Sequence, residues 1–208
     1  MKMKMMLYLL LIVFGFSSIS PAQEVIKADD SNKSLNKAKA QSVNDIIWFG
    51  VDFTMAKFTL VPEDPEVIVS KYLPAINKVI IMEPEKYNIR EYFDKVNVTN
   101  SIDQAIENNA EIDPSTLVIS NEYKLDPEKI NDVLKKYTTP EGSGTGLIFI
   151  AENLNKATNF GSYYVTFFDI ATKKIIDSRR MKGKTGGIGF RNFWASTVYN
   201  VMKLWPEQ

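Results

Sequence analysis

The C-terminal run G-K-T-G-G-I-G-F-R-N-F-W-A-S-T-V-Y-N-V-M-K-L-W, Gly183 to Trp205, limits the fold more than any other stretch. A glycine hinge leads into a segment in which Phe190, Phe193, Trp194, Thr197, Val198, Val201, Leu204 and Trp205 recur at the spacing of one helical face. Arg191, Asn192, Ser196, Asn200 and Lys203 fall on the other side. Two tryptophans and two phenylalanines on one stripe bury a large apolar area. The spacing therefore predicts an anchor helix closing over a sheet.

Upstream of it, Leu147–Asn153, Tyr163–Ile170 and Lys174–Lys182 read as three strands. The turn Ala171-Thr172-Lys173 is short enough to make the last two an antiparallel hairpin, with Asp169 bonding to the turn backbone. In the third strand Ile176, Ser178 and Arg180 alternate with Asp177, Arg179 and Met181. The earlier half alternates strand and helix. Ile46 to Val61 reads as strand, with Gly50 as a bulge and with Asp52 and Lys57 solvated at the strand edge. Asp64 caps a helix that has Pro65 at its first position, and Pro74 kinks or splits that helix after Leu73. The carboxylates Glu63, Asp64 and Glu66 suit a helix N-terminus without any metal. Val96–Asn100 is a short strand, and Ser101 to Gln104 forms a capping box for the next helix. Leu117–Ile119 is a brief strand. Asp126-Pro127 starts another helix that buries Ile130, Val133, Leu134 and Tyr137, and the loop Thr138–Gly146 follows. No internal repeat is present. The fold class is α/β (α+β): one domain over 45–208, a mixed sheet with a C-terminal antiparallel three-strand meander, and a closing amphipathic helix.

The first 22 residues have the layout of a secretory signal peptide: Lys2 and Lys4, an apolar Met5–Phe16, and small residues at Ser20 and Ala22 before Gln23. The apolar run is short for a spanning helix, so membrane attachment requires an uncleaved leader. Residues 23–44 are polar and read as a flexible linker. The chain of 208 residues carries 25 basic and 25 acidic side chains. Losing Lys2 and Lys4 shifts the net charge only from 0 to −2, which gives no overall steering toward nucleic acid. The absence of cysteine and histidine removes disulfides, thiolate and imidazole metal ligands, and the usual general base near neutral pH. An exported chain without disulfides points to a bacterial periplasm or outer-membrane-associated location.

Ser178 to Thr185 is one residue short of a phosphate-binding P-loop. Ser178 stands where the motif needs glycine, and Gly186-Gly187 intervene before any helix. Nucleotide hydrolysis is set aside. A ligand site for small anions remains open at Arg179, Arg180, Lys182, Lys184, Gly186, Gly187 and Arg191, a basic glycine turn at a helix N-terminus. The alternative is that these cations blunt an exposed edge strand. Asp52, Glu152, Asp169 and Asp177 lie on or beside strands, with no spacing that pairs them for acid–base work. Ser162 and Ser196 have neither a histidine nor a G-x-S-x-G elbow. No cofactor is indicated.

The run Y-Y-V-T-F-F-D-I-A-T-K-K-I-I-D-S-R-R, followed by glycines and the closing helix, resembles small α/β domains of bacterial envelope lipoproteins. These are of the curli-secretion and penicillin-binding-protein-activator type. The likeness spans about Gly146 to Leu204, and the lipidated cysteine of that group is missing here. It also resembles uncharacterised exported bacterial proteins. The resemblance implies a non-catalytic envelope domain that binds a protein partner.

Overall fold

A computed structural model of the chain describes Ala40 and residues 43–207. The expected leader and most of the expected linker lie outside the described residues. Ala40 is buried, and its carbonyl accepts a 2.9 Å bond from Lys95 Nζ. No helix among the described residues is long and apolar enough to cross a membrane.

The architecture is mixed α/β around a seven-stranded sheet. The strands are β1 (Asp45–Asp52), β2 (Lys57–Thr59), β3 (Asn97–Asn100), β4 (Val118–Ile119), β5 (Thr145–Asn155), β6 (Phe160–Asp169) and β7 (Ile175–Lys184). The helices are α1 (Pro65–Val67), α2 (Leu73–Met82), α3 (Ile89–Tyr92), α4 (Asp103–Ala110), α5 (Ile130–Leu134) and α6 (Phe190–Leu204). β5 is the spine. Along one edge it pairs in parallel first with β1 and then with β2, and β3 and β4 continue the sheet beyond them. Along its other edge it pairs antiparallel with β6, which pairs antiparallel with β7. β5 to β7 are thus the antiparallel half of a sheet whose other half is parallel.

The run Ile46–Val61 is not one strand. Asp52 Oδ1 accepts bonds from Thr54 N (2.7 Å) and Thr54 Oγ1 (2.6 Å), and the chain turns between Phe53 and Ala56 before resuming as β2. Asp52 is also not solvated: it is fully buried, and Tyr137 donates to its Oδ2 at 2.5 Å. Lys57 is half-buried and donates to the Thr116 carbonyl at 2.7 Å. Gly50 does mark a register shift, at φ 89°, with the Asn77 side chain close against it. Asp64 caps α1 as expected, and a π-helical turn over Ile68–Tyr72 precedes the Pro74 helix. The capping box at Ser101 does not form. α4 starts from Ile102 without a side-chain cap, because Gln104 instead clamps the backbone of Thr138 through both its amide atoms (2.6 and 2.9 Å).

Two apolar layers cover the sheet. α5 with Leu125 and Tyr137 covers one face, against Phe49, Ile148, Ile150, Phe168 and Ile170. α2 and α6 cover the other. The anchor helix buries Trp194, Thr197, Val198, Val201 and Trp205 as expected, while Phe190 and Phe193 are half-buried. Leu204 is exposed and Met202 takes its place inside, because the helix lies rotated toward Ala195 and Met202. Gly183 is a strand residue rather than part of a hinge. It pairs with Gly161, and a Cβ on either would collide with Thr197. This pair of bare backbones lets α6 approach the sheet closely, with Tyr163 and Thr197 hydroxyls 2.5 Å apart beside it.

Candidate functional site

β2, β4, β5 and β7 all run in one direction and end at one pole of the molecule, where open α/β sheets present their ligand sites. The pole is knitted together by backbone bonds. Lys156 N donates to the Thr59 carbonyl (2.9 Å), Leu60 N to that of Ile119 (3.0 Å), and Thr185 N to that of Asn159 (2.9 Å). Asn155 Oδ1 accepts from Ala157 N and Thr158 N, which shapes the tip of the β5–β6 hairpin. The glycine turn is tied to the closing helix by Asn200 Nδ2, 2.7 Å from the Lys184 carbonyl. Gly187 and Gly189 both have φ 80°, which favours glycine on either side of Ile188.

Two cavities flank the hairpin tip. One, of about 310 Å³, is lined by Glu122, Asn153, Asn155, Thr158, Phe160, Ser162 and Lys182. The other, of about 160 Å³, lies among Val61, Glu63, Lys156, Phe190 and Phe193. Lys156 Nζ sits 3.7 Å from the Phe193 ring centroid, a cation–π contact. Leu60, Phe160 and Ile188 are 53%, 39% and 92% exposed.

The structure separates the basic residues expected to act together. Arg179 turns toward α6, where it pairs with Asp177 at 2.6 Å and stacks 3.8 Å over Trp205. Arg180 turns to the opposite face and pairs with fully buried Glu152 at 2.7 Å. The hydrogen bonds to Glu152 hold its guanidinium above the ordinary arginine value. Lys182 lines the larger cavity, and Lys184 is exposed in register with Phe160. Gly186 and Gly187 form the turn, and Arg191 bonds to Asn192 in the first turn of α6. Lys182, Lys184 and Arg191 therefore share the pole with Lys156, which sequence reasoning missed.

Sequence reasoning also missed Asn153, Asn155, Phe160 and the placement of Ser162. β5 shifts register between Ala151 and Asn153, and such a bulge re-aims the side chains that follow it. The signal was the change from the apolar Leu147–Ala151 to Asn153 and Asn155. Of the strand carboxylates, Asp169 accepts from Thr172 N at 2.8 Å and holds the hairpin turn. Glu152 also accepts from Leu125 N at 3.0 Å, which fastens the loop after β4 to the sheet. Among the described residues no cluster of three or more acidic side chains is placed to hold a metal ion. No protein family, curated protein or solved structure matches this chain.

Proposed function

We propose that this chain is a non-catalytic partner-binding or assembly module of the bacterial cell envelope. The meander β5–β7 and the closing helix α6 are its functional unit, and the pole is its contact surface. One observation carries the reading: Leu60, Phe160 and Ile188, three exposed large hydrophobics, lie in segments that converge at one end. Single exposed apolar residues are ordinary on protein surfaces, but a group rimmed by charge marks an interaction site. Lys156, Lys184 and Arg191 supply that rim, so the complementary partner is a protein with an apolar patch bordered by acidic residues. The leader-like N-terminus and the resemblance of residues 146–204 to envelope lipoprotein domains support the location.

A photo-crosslinking residue in place of Ile188 tests this in the producing cell. A discrete adduct with one envelope protein is expected. It should disappear when Leu60→Asp is added, and it should not form from the crosslinker at Met82, which is 75% exposed at the end of α2. Equal labelling from positions 188 and 82, or none from 188, overturns the proposal.

A further inference from the structure

The larger cavity has a chemistry of its own. Asn153, Ser162 and Lys182 are paired across β5, β6 and β7, so their side chains share one face, and Asn155 and Phe160 form the next row on that face. Strands lie about 4.8 Å apart, and same-face neighbours along a strand about 7 Å apart. The floor is thus a plate of roughly 10 by 7 Å. The volume of this open cavity, about 310 Å³, is at the small end for ligand pockets. Both figures suit one six-membered ring with its substituents. The plate stays uncovered because α5 packs over Ile148, Ile150 and Phe168, farther along the face. The Glu152–Arg180 pair and the bond from Leu125 N hold the 121–125 loop at its border, with Glu122 on the wall.

The two amides of the floor offer mainly donors. Asn153 Oδ1 is taken by the Thr59 hydroxyl at 2.8 Å, and one Nδ2 proton reaches the Tyr123 carbonyl at 3.4 Å, which leaves the other proton free. Asn155 Oδ1 accepts two backbone N–H bonds, which leaves both its Nδ2 protons. Ser162 Oγ donates to the Asn153 carbonyl at 3.2 Å and keeps its lone pairs. The amide oxygens are pinned and the amide N–H groups remain. Lys182 adds a full positive charge. Asn153 and Ser162 are each only 5% exposed, so they form a fixed floor rather than surface side chains.

We infer that this cavity binds a single acidic sugar, a pyranose bearing one carboxylate. Lys182 meets the carboxylate, since a charge-assisted bond is the strongest single contact the site offers. The free N–H groups of Asn153 and Asn155 and the Ser162 oxygen meet hydroxyls, and Glu122 accepts from another. The Phe160 ring lies against the C–H face of the sugar. A simple inorganic anion leaves Phe160 without a role, and a neutral sugar leaves Lys182 without one. This inference shares Phe160 with the protein-partner reading but uses neither Leu60 nor Ile188, so loss of crosslinking at Ile188 leaves it standing.

Calorimetric titration of the purified protein with glucuronate, glucose and inorganic phosphate tests it. Saturable glucuronate binding roughly 10-fold tighter than glucose is expected, the worth of one charge-assisted bond, with phosphate failing to compete. Lys182→Met should erase the preference for glucuronate over glucose. Phe160→Ala should weaken both sugars, and Lys174→Met, in the turn just before β7 at the opposite end of the hairpin, should change neither. Unchanged urea midpoints verify that the variants fold. Absence of saturable glucuronate binding, an undiminished preference in Lys182→Met, or equal competition by phosphate overturns the inference.

Discussion

Replacing Gly183 with alanine probes the contact on which the placement of α6 depends. A Cβ at this position would lie 2.8 Å from the carbonyl carbon and 3.0 Å from the Cα of Thr197, and closer still to the carbonyl oxygen. These atoms belong to the helix backbone and cannot rotate away. Carbon contacts are comfortable at about 3.5–4.0 Å, so α6 must lift on the order of 1 Å. Trp194, Ala195, Val198, Val201 and Met202, each at most 1% exposed, would then lose close packing together. Overpacking costs about 1–3 kcal/mol, and a rigid backbone obstacle places this case at the upper end. Exchanging glycine for alanine within a strand returns up to about 1 kcal/mol. The net is about 2 kcal/mol. With a urea slope of about 1–3 kcal/mol per molar, the midpoint should fall by roughly 1 M at unchanged slope. Gly186→Ala is the control, because its Cβ would rest 3.5 Å from Ser196 Oγ, an ordinary contact. Gly161→Ala differs again, since it meets the Thr197 side chain at 2.7 Å, so Thr197→Ala should partly relieve it and should leave Gly183→Ala unrelieved. Equal midpoints for Gly183→Ala and Gly186→Ala, or rescue of Gly183→Ala by Thr197→Ala, would refute the account.

Three further outcomes follow from polar contacts, two of them buried. Burial pushes the hydroxyls of Tyr137 and Tyr163 well above the ordinary tyrosine range, with Asp52 reinforcing the effect at Tyr137. Above a pH of about 10 the unfolded chain loses these protons first, so stability is complete below that value and falls above it by about 1.4 kcal/mol per pH unit for each tyrosine. Tyr137→Phe should remove one such increment from the slope of urea midpoints measured from about pH 8 to about pH 11. Arg180→Met leaves fully buried Glu152 with the Leu125 N–H alone. Breaking a buried pair costs about 3–5 kcal/mol, moderated here because the Arg180 side chain is 34% exposed, so a loss of about 2–3 kcal/mol is expected in urea melts. Adding Glu152→Gln should recover most of it. Gln104→Leu removes both bonds to Thr138, and hydrogen exchange of the Thr138 amide should accelerate while amides of β5 stay protected.

The parts of the fold legible in the sequence are those fixed by neighbours in the chain. Asp64-Pro65 caps α1 as read, and Asp126-Pro127 caps a 3-10 turn over Pro127–Lys129 that runs on into α5, because cap and first turn lie within a few residues. Asp169 holds its hairpin turn for the same reason. The stripe of α6 was legible through its tryptophans, while Leu204 and Met202, at the C-terminal end of the stripe, were exchanged. The misreadings have one local cause and two tertiary ones. Asp-x-Thr at Asp52 turns an aromatic, β-branched run that propensity alone continues as strand, and Tyr137, 85 residues away, makes burial of that carboxylate tolerable. Gln104 abandons the capping box for Thr138, 34 residues away.

The candidate site shows the same division more sharply. A cluster of cations around a glycine turn looks convergent when written as a string, but strand alternation sends Arg179 and Arg180 to opposite faces, and each meets a carboxylate there. The registers of β5 against β6 and of β6 against β7 decide which cation faces the cavity, and the first of them includes the shift between Ala151 and Asn153. Without the shift, the alternation that places Ile148 and Ile150 under α5 would continue through Glu152 and Leu154. It would carry Leu154 onto the open face and Asn153 and Asn155 under α6. With it, Leu154 joins the core beneath α6 while Asn153 and Asn155 face the cavity. One extra residue in one strand thus converts a polar stretch from a packing fault into the floor of a pocket. Lys182 acquires its place there because it is in register with Ser162, not because of its neighbours in sequence.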